Sequence, residues 1–185
     1  MTSQPLSGRL LVATPILGDP NFDRTVVLVI EHSGEGGVGL VLNRPSDTDV
    51  AEPLPEWDSV TAVPSVIFVG GPVAQSAVIG LGRCGDHGHT SRWRPLGGGL
   101  GIVDLAEGAP DTGTSIEALR LFAGYAGWGS GQLEAEIDAG AWWIVDALPS
   151  DALSPDPERL WSAVLRRQPG RLAMHAFFPA DPSSN

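Results

Sequence analysis

Short apolar runs of strand length, rather than long amphipathic stretches, dominate the hydrophobic pattern of this chain. The first two are residues 9–13 and 25–31, and in the second run apolar side chains occupy both alternating sets of positions. Because a strand that is apolar on both faces is covered on both sides, 25–31 is predicted to be central in its sheet. The glycine-rich segment 33–37 favours a tight reversal, so 38–42 is predicted to return as the hairpin partner.

Later apolar runs predict further strands, at 65–69, 77–81, 101–105 and 141–145. Residues 46–64 are rich in acids and prolines, which indicates an exposed loop with one helical turn near Trp57. The glycine-rich, polar segment 82–99 is predicted to be a long mobile loop.

A helical period appears in the second half of the chain. Residues 111–125 are predicted to form a helix, since apolar side chains recur about one turn apart, and 131–139 a short second one. A third helix is predicted to begin near Pro157 and to stop at Pro169. Residues 171–178 are then predicted to close the sheet.

The order of these elements decides the fold class. Strands and helices are mixed without a regular βαβ alternation, which favours an α+β fold with a mixed or largely antiparallel sheet over a doubly wound one. Residues 8–178 are predicted to form one domain. Residues 1–7 and 179–185 have little to bury and are predicted to be frayed termini.

The charge of the chain limits the classes of molecule that it is expected to bind. The 185 residues include 22 acidic and 11 basic ones, for a formal net charge of −11, and lysine is absent. The lack of lysine excludes sites that need its amine, such as a P-loop or a Schiff base. The acidic excess repels phosphate backbones, so direct nucleic-acid binding is disfavoured. The densest basic group is interpreted as a solvated helix face; it contains Arg159, Arg166, Arg167 and Arg171.

Membrane contact and export are not predicted. No apolar run approaches the ~18–20 residues that span a bilayer. Residues 1–8 lack the basic-then-apolar order of a secretory signal. A cytoplasmic location is therefore expected.

No metal or cofactor is predicted. Cys84 is the single cysteine, which excludes a disulfide within the chain. With Asp86, His87 and His89 it offers zinc or nickel ligands, but the surrounding glycines favour a polar loop, and the metal site stays as the alternative. Residues 80–85 fit the pattern GxGxxG, yet the residues after them do not begin a helix, so a dinucleotide site is not predicted.

Six sequence blocks, spread in order along most of the chain, carry a family resemblance. They are GRLLVATP (8–15), DPNFDRTV (19–26), EH (31–32), GLVLNRP (39–45), VGGPV (69–73) and GYAGWGSGQLE (124–134). Together they resemble the AlgH/YqgE family of uncharacterised bacterial proteins. The resemblance implies a compact α+β unit with a small closed, barrel-like sheet flanked by helices. Some members carry the label of transcriptional regulator, and the acidic composition favours an indirect role here.

Eight residues in these blocks, at predicted strand ends or in the glycine-rich turn, are candidates for ligand binding: Glu31, His32, Asn43, Arg44, Gly70, Gly71, Trp128 and Glu134. Arg44 can hold a carboxylate or phosphate with two N–H groups, and the backbone amides of the two glycines can approach such an anion. The alternative is structural, with an arginine pinning loops.

The structural alternative has specific partners. Arg24 or Arg44 would pair with Glu31, Glu134 or Asp19. Since hairpin strands run in opposite directions, residues 31–32 and 43–44 fall at opposite ends of the hairpin. One site that unites them needs strong twist or a further strand.

His32 and Trp128 each have a chemical and a structural interpretation. Neighbouring residues on a strand point to opposite faces, so His32 would need a partner other than Glu31, such as Glu134 or Asp104, to act as a base. Otherwise His32 is a structural hydrogen-bonding group. Trp128 either floors a ligand pocket or caps the end of the sheet.

The leading functional hypothesis is a binding or regulatory module for a small anionic ligand or a protein partner, because no catalytic constellation is complete. One alternative is a hydrolase or transferase that uses His32 as general base. The other is transcriptional regulation, direct or indirect. Catalytic residues and enzyme class are not predicted.

Overall fold

The computed structural model describes residues 5–85, 93–106, 108 and 116–178. Ten strands in these residues form one curled sheet: Arg9–Ala13 (β1), Val26–Ser33 (β2), Gly36–Val41 (β3), Pro45–Asp49 (β4), Val66–Val69 (β5), Val73–Cys84 (β6), Trp93–Gly97 (β7), Leu100–Val103 (β8), Ile116–Gly129 (β9) and Trp142–Asp146 (β10).

Short helices cover the sheet. They are Gln132–Asp138 (α1), Pro149–Ala152 (α2), Leu160–Arg166 (α3) and Leu172–His175 (α4), with 3-10 turns at Pro55–Val60 and Pro157–Arg159. The α1 and α3 helices match the predicted second and third helices in place.

The strand order is β10-β1-β2-β3-β9-β6-β8-β7, with antiparallel neighbours throughout. Beside this path, β4 pairs with β5, and β5 joins β9 in parallel. The sheet curls into a half-barrel whose edge strands are β10 and β7. The α+β class and the barrel-like sheet are thus confirmed.

Strand β2 is central, as its two apolar faces predict. One face contributes Leu28 to a core that α3 covers with Trp161 and Leu165. The other contributes Val29 to a second core that α1 covers with Leu133. Each face is buried by a different helix, which is why the strand sequence does not alternate between apolar and polar residues.

The predicted helix at 111–125 is wrong for residues 116–125, and 111–115 lie outside the described residues. This segment belongs to β9, which pairs with β6 along one edge and with β3 and β5 along the other. Four consecutive side chains, residues 119–122, are fully buried. A strand that is buried on both faces has apolar side chains at most of its positions. Apolar residues therefore also recur three and four positions apart, which is the spacing of a helix.

Three other segments differ from expectation. Residues 171–178 form α4 instead of a closing strand, because their backbone makes local bonds such as Met174 N–H to Arg171 O. In 46–64, β4 is ordered and Trp57 is fully buried in its 3-10 turn. In 82–99, β6 extends to Cys84 and β7 begins at Trp93, while 86–92 lie outside the described residues.

Candidate functional site

The candidate residues fall into two groups at opposite ends of the β2–β3 hairpin. Strand register places His32 beside Gly37 and Gly37 beside Trp128. Glu31 and Glu134 lie near this end. Asn43 and Arg44 follow β3 at the other end, where Arg44 and Gly71 line one small groove of about 280 Å³.

His32 is held on both sides of its ring. Its Nδ1 accepts a hydrogen bond from the Leu6 amide at 3.3 Å, and its Nε2 lies 3.1 Å from Glu134 Oε1. The imidazole is only 3% exposed. Because both ring nitrogens have partners, these contacts favour the structural interpretation, in which His32 ties the N-terminal segment to α1.

The carboxylates of Glu31 and Asp104 have partners of their own. Glu31 Oε2 is 3.8 Å from Arg94 Nη1, on β7, as opposite-facing neighbours require. Asp104, the other predicted partner of His32, accepts a hydrogen bond from the Ala106 amide at 2.9 Å.

Trp128 caps the end of the sheet. Its indole N–H donates to Glu136 Oε2 at 2.9 Å, and the Trp142 indole donates to the same oxygen at 2.8 Å. The two rings meet edge to face with centroids 6.1 Å apart. Glu136 on α1 thus joins β9 to β10, and Trp128 is only 7% exposed. These contacts favour the structural interpretation of Trp128.

Asn43 and Arg44 clamp the loop that precedes β2. The Asn43 amide donates to Arg24 O at 2.9 Å and its side-chain oxygen accepts from Val26 N–H at 2.9 Å. Arg44 Nη2 donates to Asp23 O. These bonds hold Arg24 in the left-handed region, with φ of 51°.

The arginines therefore pin loops, but not through the predicted partners. Arg24 Nη1 donates to Phe178 O at 3.0 Å, and Arg44 donates to a carbonyl as well. Ion pairs in the described residues join neither arginine to Glu31, Glu134 or Asp19. Carbonyl oxygens fill the role expected of carboxylates because the loop backbone, not an acidic side chain, reaches the guanidinium groups.

Gly70 and Gly71 are required by strand packing. A Cβ at Gly70 would lie 2.3 Å from Gly124 O, and one at Gly71 would lie 2.1 Å from the carbonyl carbon of Tyr125. The Gly70 amide donates to Ala123 O at 2.9 Å. Because this amide is used within the sheet, it does not serve the predicted anion.

A large cavity lies beyond the clamped loop. It has a volume of about 660 Å³ and opens between the ends of β1 and β10 and the helices α3 and α4. Its lining includes Thr14, Asp23, Arg24, Trp143, Trp161 and His175. We call it the aromatic cavity.

Aromatic rings and one guanidinium form its wall. The His175 ring lies 4.7 Å from Trp143 and 5.0 Å from Phe178 between centroids. The Arg24 guanidinium carbon lies 4.1 Å from the Trp161 ring centroid. Trp161 is fixed by its indole N–H, which donates to Ala13 O at 3.0 Å.

Sequence reasoning missed most of this cavity. From the sequence alone, Trp161 is explained as a core residue of the predicted third helix, and Trp143 as a residue of the predicted strand 141–145. His175 stood in a segment predicted to be a strand. The signal present in the sequence was Asp23–Arg24, a charged pair shortly before a central strand and inside the block 19–26.

The described residues contain neither a cluster of metal ligands nor a helix able to span a membrane. In the part of the chain that the structure describes, His, Cys, Asp and Glu side chains form no cluster of three that could hold a metal. Cys84 is described, whereas Asp86, His87 and His89, the other candidate ligands, lie outside the described residues. None of the described helices has the length and apolar character to cross a membrane.

A family model matches most of the chain. The model described as DUF179, AlgH-like, matches residues 10–173. The chain belongs to this AlgH-like family. The resemblance in the six blocks is confirmed by UPF0301 proteins of Streptomyces coelicolor, 50% identical over 185 residues, and Thermobifida fusca, 47% identical over 189. The first alignment covers 97% of this chain and 95% of the relative, and the second 97% and 96%.

Two solved structures share the fold. A crystal structure of a Corynebacterium diphtheriae protein is 35% identical, with a TM-score of 0.88 over 96% of this chain and 95% of the other. The solution structure of AlgH from Pseudomonas aeruginosa is 31% identical, with a TM-score of 0.67 over 97% of both chains. The names of these relatives state no substrate or reaction.

Proposed function

We propose that this AlgH-like protein binds a small molecule with a planar apolar portion in the aromatic cavity. The observation that carries the proposal is the cavity itself. Its volume of about 660 Å³ lies within the roughly 300–1,000 Å³ typical of ligand pockets. Aromatic faces with a few polar groups at the wall are the usual lining of such pockets.

The walls suit a flat ligand because they are already ordered by other contacts. Trp161 is buried and hydrogen-bonded to β1, and Trp143 belongs to β10. Thr14 Oγ1 is likewise occupied, since it donates to Gly140 O at 2.7 Å. Little free energy is therefore needed to organise the site, and ring stacking on the half-buried Trp143 supplies affinity.

This proposal moves the predicted recognition surface. In this proposal Asn43 and Arg44 position the loop that carries Arg24. His32 and Trp128 make structural contacts at the opposite end of the β2–β3 hairpin. We also propose that the protein acts in the cytoplasm as an indirect regulator. Binding of the ligand in the aromatic cavity would be the signal to which it responds. Catalysis by His32 is not proposed, because both ring nitrogens are engaged.

The test uses 2-naphthalenemethanol as a neutral planar probe, titrated into the full chain labelled with ¹⁵N. The indole N–H resonances supply an internal map. We expect saturable shifts at Trp143 and Trp161, which line the cavity, and none at Trp57 and Trp93, which belong to a different core. Absence of saturable shifts at Trp143 and Trp161 refutes the proposal.

A matched pair of variants strengthens the test. Trp143→Ala removes a cavity wall, and Trp93→Ala removes an equally half-buried tryptophan on β7. Since one aromatic contact contributes about 0.5–1.5 kcal/mol, Trp143→Ala should weaken the probe roughly threefold to tenfold. Trp93→Ala should leave its dissociation constant unchanged. Equal losses in both variants would assign binding to general hydrophobicity.

A further inference from the structure

We infer that the ligand of the aromatic cavity carries an anionic group, a carboxylate or a phosphate monoester attached to a planar ring, and that Arg24 recognises it. This inference rests on the proposed function and names the class of ligand. Two observations support it: the position of the Arg24 guanidinium in the cavity wall, and the groups with which it makes contact.

Arg24 is a preset cation. Its backbone is fixed with φ of 51°, and its carbonyl accepts the Asn43 amide at 2.9 Å. Its guanidinium carbon lies 4.1 Å from the Trp161 ring centroid, a position that favours a cation. Little side-chain freedom remains to be lost when an anion binds.

The charge of Arg24 is left without a counter-ion among the described residues. Nη1 donates to a neutral carbonyl, that of Phe178, at 3.0 Å. In this part of the chain, the ion pairs of arginine with Asp or Glu use Arg9, Arg83, Arg94, Arg159 and Arg167, but not Arg24. A ligand carboxylate or phosphate can accept two parallel hydrogen bonds from such a fork.

His175 lines the same wall, and its ring lies between those of Trp143 and Phe178. Its Nδ1 is fully buried and makes no hydrogen bond to any described residue. Because that atom is not accessible from the cavity, His175 contributes ring surface to the site and no polar contact, so the anion preference is assigned to Arg24.

Asp23 is the feature that opposes an anion. Its residue lines the same cavity, but it is exposed, whereas Arg24 is half-buried against Trp161. Water screens the exposed carboxylate more strongly than the half-buried guanidinium. The distant acidic surface is screened beyond about 8–10 Å at physiological salt. The local balance therefore favours an anion.

The experiment compares three probes of one ring system: 2-naphthoate, 2-naphthyl phosphate and neutral 2-naphthalenemethanol. Dissociation constants are measured by the same indole titration. We expect at least one anion to bind about tenfold or more tightly than the alcohol, as a charge-assisted hydrogen bond requires. Whether naphthoate or naphthyl phosphate binds more tightly identifies the anionic group.

Variants tie the preference to Arg24. Arg24→Gln should abolish the anion preference, measured as the ratio of the dissociation constant of the alcohol to that of the anion. Arg83→Gln, which removes a half-exposed cation of β6 paired with Glu117, should retain the preference. Asp23→Asn should increase this ratio for both anions, because it removes the opposing charge. If Arg24→Gln binds none of the probes, Arg24→Lys decides, because it keeps the charge but not the planar fork: a preference smaller than that of the parent chain supports the inference, and an unchanged preference overturns it.

The outcomes separate the two proposals. If the alcohol and the anions bind equally to the cavity, the proposed function stands and the inference on charge is wrong. If the preference for anions persists in Arg24→Gln, the inference is also wrong. If no probe shifts Trp143 and Trp161, the proposed function itself fails.

Discussion

Arg120 shows at the scale of one residue how this fold accommodates a buried charge. It lies fully buried in β9 with its guanidinium carbon 4.3 Å from the Phe68 ring centroid. Its Nη1 donates to Ser154 O at 2.8 Å and its Nη2 to Val63 O at 2.6 Å. Burial lowers the pKa of Arg120 to about 10, so the side chain remains a cation at neutral pH. It joins the segment before β5 to the segment after α2.

Replacing Arg120 should destabilise the protein. Arg120→Met keeps the apolar stem but removes the donors to two part-buried carbonyls, which costs about 2–3 kcal/mol. Urea unfolding of the full chain measures this loss. Arg83→Met, an exposed ion-pair control on the adjacent strand, should change the free energy of unfolding by less than about 0.5 kcal/mol. Equal effects of the two substitutions would contradict a bridging role for Arg120.

At the scale of elements, the sheet depends on a close crossing of β5, β6 and β9. Gly70 follows β5 beside β9, where a Cβ would lie 2.3 Å from Gly124 O. Gly124 itself has φ of 72°, and a Cβ there would lie 2.6 Å from Gly71 O. Backbone meets backbone at this point, so no flexible side chain can yield.

Gly70→Ala should therefore cost about 3 kcal/mol or prevent folding, because overpacking here must displace a strand. Gly18→Ala is the matched control, since no atom lies within 4 Å of its Cβ position and its φ is not positive. We expect the control to stay within about 0.5 kcal/mol of the parent chain in urea unfolding. A Gly70→Ala protein as stable as the Gly18→Ala protein would show that β5 and β9 are less tightly packed.

The same crossing explains the misassigned helix. Residues 116–125 contain apolar side chains at helical spacing, but also at the positions between them. Both neighbours of β9 are distant in sequence, with Ile79 opposite Phe122 on one edge and Phe68 opposite Phe122 on the other. The spacing of apolar residues within one segment cannot indicate such long-range pairings. Tertiary contacts therefore override the helix that this spacing predicts.

At the scale of the whole molecule, net charge governs the encounter with polyanions. The formal charge is −11, and the C-terminal arginine group is largely engaged. Arg167 makes a two-pronged bond to Asp151, including Nη2 to Oδ2 at 2.7 Å, and Arg159 lies 3.6 Å from Asp156. Arg166 lies over Phe177 with its guanidinium carbon 5.5 Å from the ring centroid.

We therefore expect no saturable binding to duplex DNA. Fluorescence anisotropy with a labelled random duplex should stay flat at about 0.15 M salt, since the acidic surface repels phosphates within a Debye length. Repeating the titration at lower salt tests the electrostatic reason, because repulsion then reaches further. Binding that strengthens as salt falls would restore direct transcriptional regulation as a function.

The sequence alone determined what depends on local chemistry and on compositional pattern. The two-faced apolar run of β2, the glycine reversal to β3, the short α1 and the stop of α3 before Pro169 followed from side-chain periodicity and backbone preference. The family followed from blocks that keep their order along the chain. Even the separation of Glu31–His32 from Asn43–Arg44 followed, because antiparallel partners must diverge at opposite ends.

Only the tertiary structure decided which distant residues meet. His32 reaches Glu134 across 102 positions, and the aromatic cavity gathers residues from Ala13 to Phe178. Periodicity reports the face on which a side chain lies, but not the element that covers that face. That choice is made when the whole sheet curls and buries its apolar cores at once, so the cavity at its edge is a property of the assembled chain and of no single segment.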